Sequence, residues 1–274
     1  MVHPAPPPQD RPGRRAASRR DGAPRPRAGA LAACALAIRT QLPARVAVGI
    51  AAAALAAAAL AGPFELATSA LVRGDYATAL RQLQPLADQG DAAAQYNLGL
   101  MFYHGLGVAQ DDAQAVKWFR KAAAQGDAAA QNNLGVMYDK GRGLRQSHAE
   151  AVKWYRLAAD QGHPLAQAAL AAKYYGGEGV AQDYREALLL FRKAAEQGVA
   201  VAQFSVGTMF SRGEGTPRDN VEAYRWLSVA AAGFPAADVE GRAGALANRD
   251  AVAAKMTADE IARAQALAAA WAAK

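Results

Sequence analysis

Residues Asp91–Gly126 read DAAAQYNLGLMFYHGLGVAQDDAQAVKWFRKAAAQG, and the stretch comes back three more times. The later copies begin at Asp127, His163 and Val199, each 36 residues after the one before, and the fourth, worn at its end, closes at Phe234. No insertion or deletion is needed to align them. A fixed period of this length marks a solenoid built by stacking one supersecondary unit.

Within the unit, small and apolar residues return column by column. Ala94, Ala130, Ala166 and Ala202 form one column; Leu98, Leu134, Leu170 and Val206 a second; Phe102, Tyr138, Tyr174 and Phe210 a third. The i, i+4, i+8 spacing puts them along one face of a first helix. Paired glycines then mark a sharp turn: Gly105 and Gly107, Gly141 and Gly143, Gly177 and Gly179, Gly213 and Gly215. Glycine admits the positive φ such a turn needs.

A second helix starts where Asp111, Ser147, Asp183 and Asp219 share a column, all good N-caps. Three residues on stand Gln114, Glu150, Glu186 and Glu222, the spacing of a capping box. Ala115, Trp118 and Ala122 give its buried stripe, repeated as Ala151, Trp154 and Ala158, and Gly126, Gly162 and Gly198 end the unit. One such helix pair has too little apolar face to stand alone, so stacking must complete the core.

The columns Ala94, Leu98-Gly99, Phe102, Gly105, Gly107-Val108, Asp111, Ala115, Trp118, Ala122 and Gly126 resemble the Sel1-like repeat family over roughly residues 75–234. The third copy departs at Ala171 and Leu190, the second at Leu144, and the fourth at Thr216-Pro217 and Phe234. A period of 34 would point to tetratricopeptide repeats, the structural relatives; the longer turn argues against them. The resemblance implies an all-α, right-handed α-solenoid of helix–turn–helix units with capping helices. It also implies a non-catalytic adaptor role, in signalling, envelope assembly or exopolysaccharide export. Some relatives carry a cysteine pair in every repeat and are linked to β-lactamase-like activity. Here the one cysteine, Cys34, lies outside the repeats, so no disulfide forms within the chain.

The formal charge of +7 is unevenly placed. Of 31 Lys and Arg, nine arginines precede residue 62, opposed only by Asp10 and Asp21 among 24 acids, which leaves 22 of each sign in residues 62–274. A folded part with no net charge lacks the basic footprint of a nucleic-acid binder, so no nucleic-acid partner is expected. Residues 1–45, rich in Arg and Pro without apolar period, read as a disordered extension. Residues 46–62, VAVGIAAAALAAAALAG, read as a signal peptide with a small-x-small site at Ala59-Leu60-Ala61. An uncleaved inner-membrane anchor and an Ala-rich soluble helix are the alternatives. The long stretch before this run suggests a translation start near Leu42. Arg19-Arg20 as a twin-arginine signal and Leu31-Ala32-Ala33-Cys34 as a lipobox both lack the apolar context they need. The expected location is therefore periplasmic or secreted, with membrane anchoring second.

Both ends of the array need covers. Residues 63–90 supply an N-terminal pair, FELATSALVR followed by a second-helix match in which Asp75 falls under Asp111 and Gly90 under Gly126. Residues 235–274 supply a C-terminal pair. There Thr257 and Glu260 form a capping box, and Ile261, Ala264, Ala268 and Trp271 share a face, in an ending similar to the tails of many Sel1-like proteins.

No catalytic constellation stands out. His3, His104, His148 and His163 show no ligand spacing and read as solvated, so neither metal nor cofactor is expected. The Gly-x-Gly turns follow a helix, not a strand, and no Lys-Ser/Thr follows, which excludes a phosphate loop. Trp118, Trp154 and Trp226 read as core. No Ser-x-x-Lys nucleophile supports the hydrolase alternative. What remains is surface. First helices line the concave side of such stacks, and their variable positions give the binding candidates: Tyr96, Asn97, Leu100, Tyr103, Asn132, Asn133, Asp139, Tyr175 and Phe204. Their mixture of Tyr, Asn and apolar groups suits a protein or peptide bound by a monomeric scaffold. Half of them read equally well as contacts between repeats.

Overall fold

A computed structural model describes residues 62–272. The readings for residues 1–45 and for the apolar run of 46–62 fall outside it, since it begins at Gly62. Among the described residues there are twelve helices and no strand. An N-terminal pair, α1 (Pro63–Val72) and α2 (Tyr76–Asp88), is followed by four pairs. These are α3 (Ala92–His104) with α4 (Asp112–Ala124), α5 (Ala128–Lys140) with α6 (His148–Asp160), α7 (Pro164–Gly176) with α8 (Tyr184–Glu196), and α9 (Ala200–Arg212) with α10 (Asn220–Gly233). Finally come α11 (Val239–Ala253) and α12 (Ala258–Ala272). No described helix is long and apolar enough to cross a membrane. Each repeat helix packs mainly on its neighbours in sequence, the one-dimensional order of an all-α solenoid.

The repeated columns are the core. The Ala94 and Leu98 columns are fully buried or nearly so in all four units. On the second helices, Phe119, Tyr155, Phe191 and Leu227 form a further buried column. It faces Gly99, Gly135 and Gly207 of the first helices. A Cβ on Gly99 would run into the Phe119 ring, and one on Gly135 into Tyr155, so the small residue sets how closely the pair packs. Trp118 and Trp226 are buried, as their column predicts, while Trp154 is only partly covered.

The paired glycines do two different jobs. The first of each pair, Gly141 for example, is the left-handed C-cap of its helix, with φ 67°. The second is a contact between repeats. Gly143 has φ 68°, and a Cβ there would collide with the Asp112 backbone carbonyl at the start of α4. Gly179 and Gly215 meet the backbones of His148 and Tyr184 in the same way.

The capping boxes form only half-way. Asp111, Ser147, Asp183 and Asp219 each accept from the backbone N–H three residues on. The return bond is absent among the described residues, because each cap's own N–H already donates to a first-helix carbonyl: Asp111 to Phe102, Ser147 to Tyr138, Asp183 to Tyr174, Asp219 to Phe210. Glu150 and Glu222 turn instead to Lys153 and Arg225. Thr257 and Glu260, free of that constraint, make both bonds of the box. Behind them α12 lays Ala264 and Trp271 on α10, with the Trp226 and Trp271 rings 5.0 Å apart.

Candidate partner-binding groove

The nine candidate residues divide into three groups. Several are tied into joints between repeats. Tyr96 packs its ring 6.0 Å from Phe119 and accepts a 3.5 Å hydrogen bond from Asn133 of the next repeat; burial raises its phenol above the ordinary range. Leu100 packs in the core beside α4. The Tyr103 ring lies 4.0 Å under the Arg142 guanidinium, which makes a bidentate pair with Asp112 at 2.7 and 3.0 Å. Asn97 closes on its own helix, donating to the Ala93 carbonyl at 2.8 Å. Asn132 is only 8% exposed.

Asp139 belongs to an ion cluster. The Lys173 ammonium sits against the Asp139 carboxylate, 2.6 Å from Glu178 and 3.5 Å from the His148 ring, while His148 Nδ1 lies 2.6 Å from Asp139. Ligand atoms of Asp139, His148 and Glu178 all fall within 4.8 Å of one another, so groups of metal-ligand type converge here. The cation they surround is the protein's own lysine. Lys173 occupies the register of Met101, Met137 and Met209, all buried, and is itself 6% exposed. Burial alone would lower its ammonium, but bonds to Asp139 and Glu178 outweigh burial and raise it. Burial likewise would raise the Asp139 carboxyl, yet bonds from Lys173 and His148 hold it below its ordinary value. A lysine in a methionine column was the sequence signal for this cluster.

Tyr175 and Phe204 are brought together. They line a cavity of about 360 Å³ with Thr208, Arg212 and Asn248. A second, of about 100 Å³, shares Thr208, Arg212 and Asn248 and adds Asn220 and Lys255, so the two lie side by side in one groove region. The Tyr175 hydroxyl donates to Glu214 at 3.0 Å and accepts from Arg212 at 3.3 Å, and its ring meets Tyr184 edge-on at 5.2 Å. Among the described residues, the buried Thr208 Oγ1 has no hydrogen-bond partner. The groove thus combines aromatic walls, two basic side chains, amides and an unused hydroxyl. Asn248 and Lys255 were out of reach of the repeat pattern, because α11 follows the last copy and only the fold turns it against α9.

Helix pairs stacked by register and joined by side-chain bridges define a tandem-repeat α-solenoid. The chain belongs to the Sel1 repeat family: the Sel1 repeat profile matches residues 92–127, 128–163, 164–199 and 200–233. Among solved structures it is similar to a protective antigen of uropathogenic Escherichia coli strains displaying an SLR fold, at 33% identity and TM-score 0.67 over 76% of this chain. The match spans 44% of that protein's length. It is also similar to a Sel1 repeat protein from Oxalobacter formigenes, at 36% identity and TM-score 0.57, over 61% of this chain and 68% of that one. No curated protein matches the chain. Sel1 repeat proteins generally mediate protein–protein interaction, on a scaffold fold that is generally non-catalytic.

Proposed function

We propose that this chain is a non-catalytic, monomeric scaffold that holds a protein partner along the first-helix face, with the groove at Tyr175, Phe204 and Arg212 as its anchor point. The observation that carries the reading is the groove itself: aromatic walls for an apolar side chain, Arg212 and Lys255 for a carboxylate, and Thr208 Oγ1 left for a hydrogen bond. The partner segment it suits is an extended peptide with an apolar anchor beside an acidic residue. Export through residues 46–62, or retention by them at the inner membrane, would set this work in the cell envelope.

The test is capture from native envelope extract by the full chain, by a Phe204→Ala/Arg212→Ala variant and by a Leu157→Ala control, the last at an exposed residue away from the groove. One partner retained by the wild type and the control, and lost by the double variant at unchanged helicity, supports the reading. Equal capture by all three refutes it.

A further inference from the structure

A ladder of buried amides runs through the stack, and its last rung is missing. Gln95, Gln131, Gln167 and Gln203 are each at most 5% exposed. Each donates Nε2 to a carbonyl of the preceding second helix: Ala87 at 3.0 Å, Ala123 at 3.2 Å, Ala159 at 3.4 Å and Ala195 at 3.1 Å. This fixes which end of each amide is oxygen. In the first three units that oxygen accepts from the Nε2 of Gln125, Gln161 or Gln197, in every case at 2.8 Å. Gln125 and Gln197 also donate to the carbonyls of Gly90 and Gly162, at 2.9 and 3.1 Å. Next in register after Gln197 comes Gly233.

Among the described residues, Gln203 Oε1 is consequently buried without a partner. Gly198 stands in the register of Gly90 and Gly162, the second acceptors of the rung. Gly198, Gln203 and Gly233 border one cavity of about 430 Å³, whose other walls include Val229, Ala268 and Trp271. A Cβ on Gly233 would stand 2.9 Å from Gln203 Oε1, so the glycine backbone lies directly beside the unpartnered oxygen.

We propose that this cavity binds a primary carboxamide, presented as a glutamine side chain of a peptide. The NH₂ of such a group has two hydrogens for the two acceptors that one glutamine satisfies in earlier units. An ammonium fits worse, because no carboxylate lines the cavity and a buried charge without a counter-charge is costly. A carboxylate would set oxygen against oxygen. The apolar walls suit the methylenes of the glutamine stem. The inference is independent of the groove at Phe204, with which this cavity shares no wall residue.

The experiment is an NMR titration of the ¹⁵N-labelled full chain, read at the Gln203 side-chain amide and the Trp271 indole. The probes are N-acetyl-glutamine N-methylamide, its glutamate and norleucine counterparts, and free L-glutamine. The capped glutamine should shift both signals and bind at least about tenfold more tightly than either counterpart, as one lost hydrogen bond of about 1.4 kcal/mol requires. Gly233→Gln, whose Cβ must displace the Gln203 amide, should occupy the site and abolish the shifts. Ala232→Trp, at an exposed position on the rim, should block binding without entering the ladder. Equal binding of the glutamate or norleucine probe overturns the proposal, as does binding that survives both variants or no shift with any probe. Tighter binding of free L-glutamine than of the capped form overturns the peptide as occupant.

Discussion

The Nε2 of Gln161 donates to the Oε1 of Gln131 at 2.8 Å, across thirty residues of chain within one repeat. Gln131 in turn donates to the Ala123 carbonyl at 3.2 Å. Replacing it by Met keeps the volume and leaves that carbonyl and the Gln161 amide without this partner. The carbonyl keeps the Gly126 N–H and the exposed Gln161 amide turns to water, so Gln131→Met should cost less than about 1 kcal/mol in urea unfolding. Gln161→Met should cost more, because it leaves the buried Gln131 Oε1 without its donor, and a buried polar group so orphaned costs about 1–3 kcal/mol.

Two glycines with similar dihedral angles should respond differently to alanine. Gly162 has φ 85° and open space at its Cβ position; Gly143 has φ 68° and faces the Asp112 carbonyl. Left-handed backbone alone costs a non-glycine residue roughly 1–2 kcal/mol. Gly162→Ala should lose about that much. Gly143→Ala should lose clearly more, because α4 and the turn must separate, and paired thermal unfolding curves measure the gap.

The Lys173–Asp139 pair should behave as a unit. Lys173→Met restores the methionine of Met101, Met137 and Met209 but leaves Asp139 half-buried without its ammonium. Adding Asp139→Tyr restores the tyrosine found at Tyr103 and Tyr175. The single changes should each destabilise at pH 7, and the double variant should recover much of the loss, with a coupling of about 1–3 kcal/mol in a double-mutant cycle. The folded values of Asp139 and Glu178 are lowered, so their contribution is present above the ordinary carboxylate range near about pH 4 and is lost as pH falls through the folded values. That of Lys173 is raised, so its contribution holds below about pH 10 and is lost as pH rises through the folded value. The wild type should therefore lose more stability at both extremes than the Met/Tyr variant.

His163 caps α7 where Asp91 and Asp127 cap the preceding first helices. Its Nδ1 accepts from the Ala166 N–H at 3.2 Å and so is unprotonated. Burial lowers its pKa, against a smaller opposing pull from Asp127. With the folded value below the unfolded one, the cap is intact above about pH 6.5 and is lost as pH falls through the folded value. His163→Asp should flatten the stability profile between pH 7 and 5 while leaving the profile above pH 7 unchanged in slope.

The 36-residue register alone determined the all-α solenoid, the helix positions, the turn glycines and most of the core. Each of these depends on contacts within a unit or with the unit next to it, and a strict period writes such contacts into columns. The same columns held the Gln ladder, bonded within each unit and to the unit before, and the methionine column broken by Lys173. Tertiary structure decided the remainder. The caps' own N–H groups went to first-helix carbonyls, which undid the reciprocal boxes that spacing suggested. Tyr175 and Phe204, from different columns of successive repeats, met in one cavity, a contact between units that no single copy specifies. Asn248, Lys255 and Trp271 reached the groove and the amide cavity from segments after the last repeat. Their placement rests on how a non-periodic chain packs across the end of a periodic one, and a periodic pattern carries no information about the chain beyond its final copy.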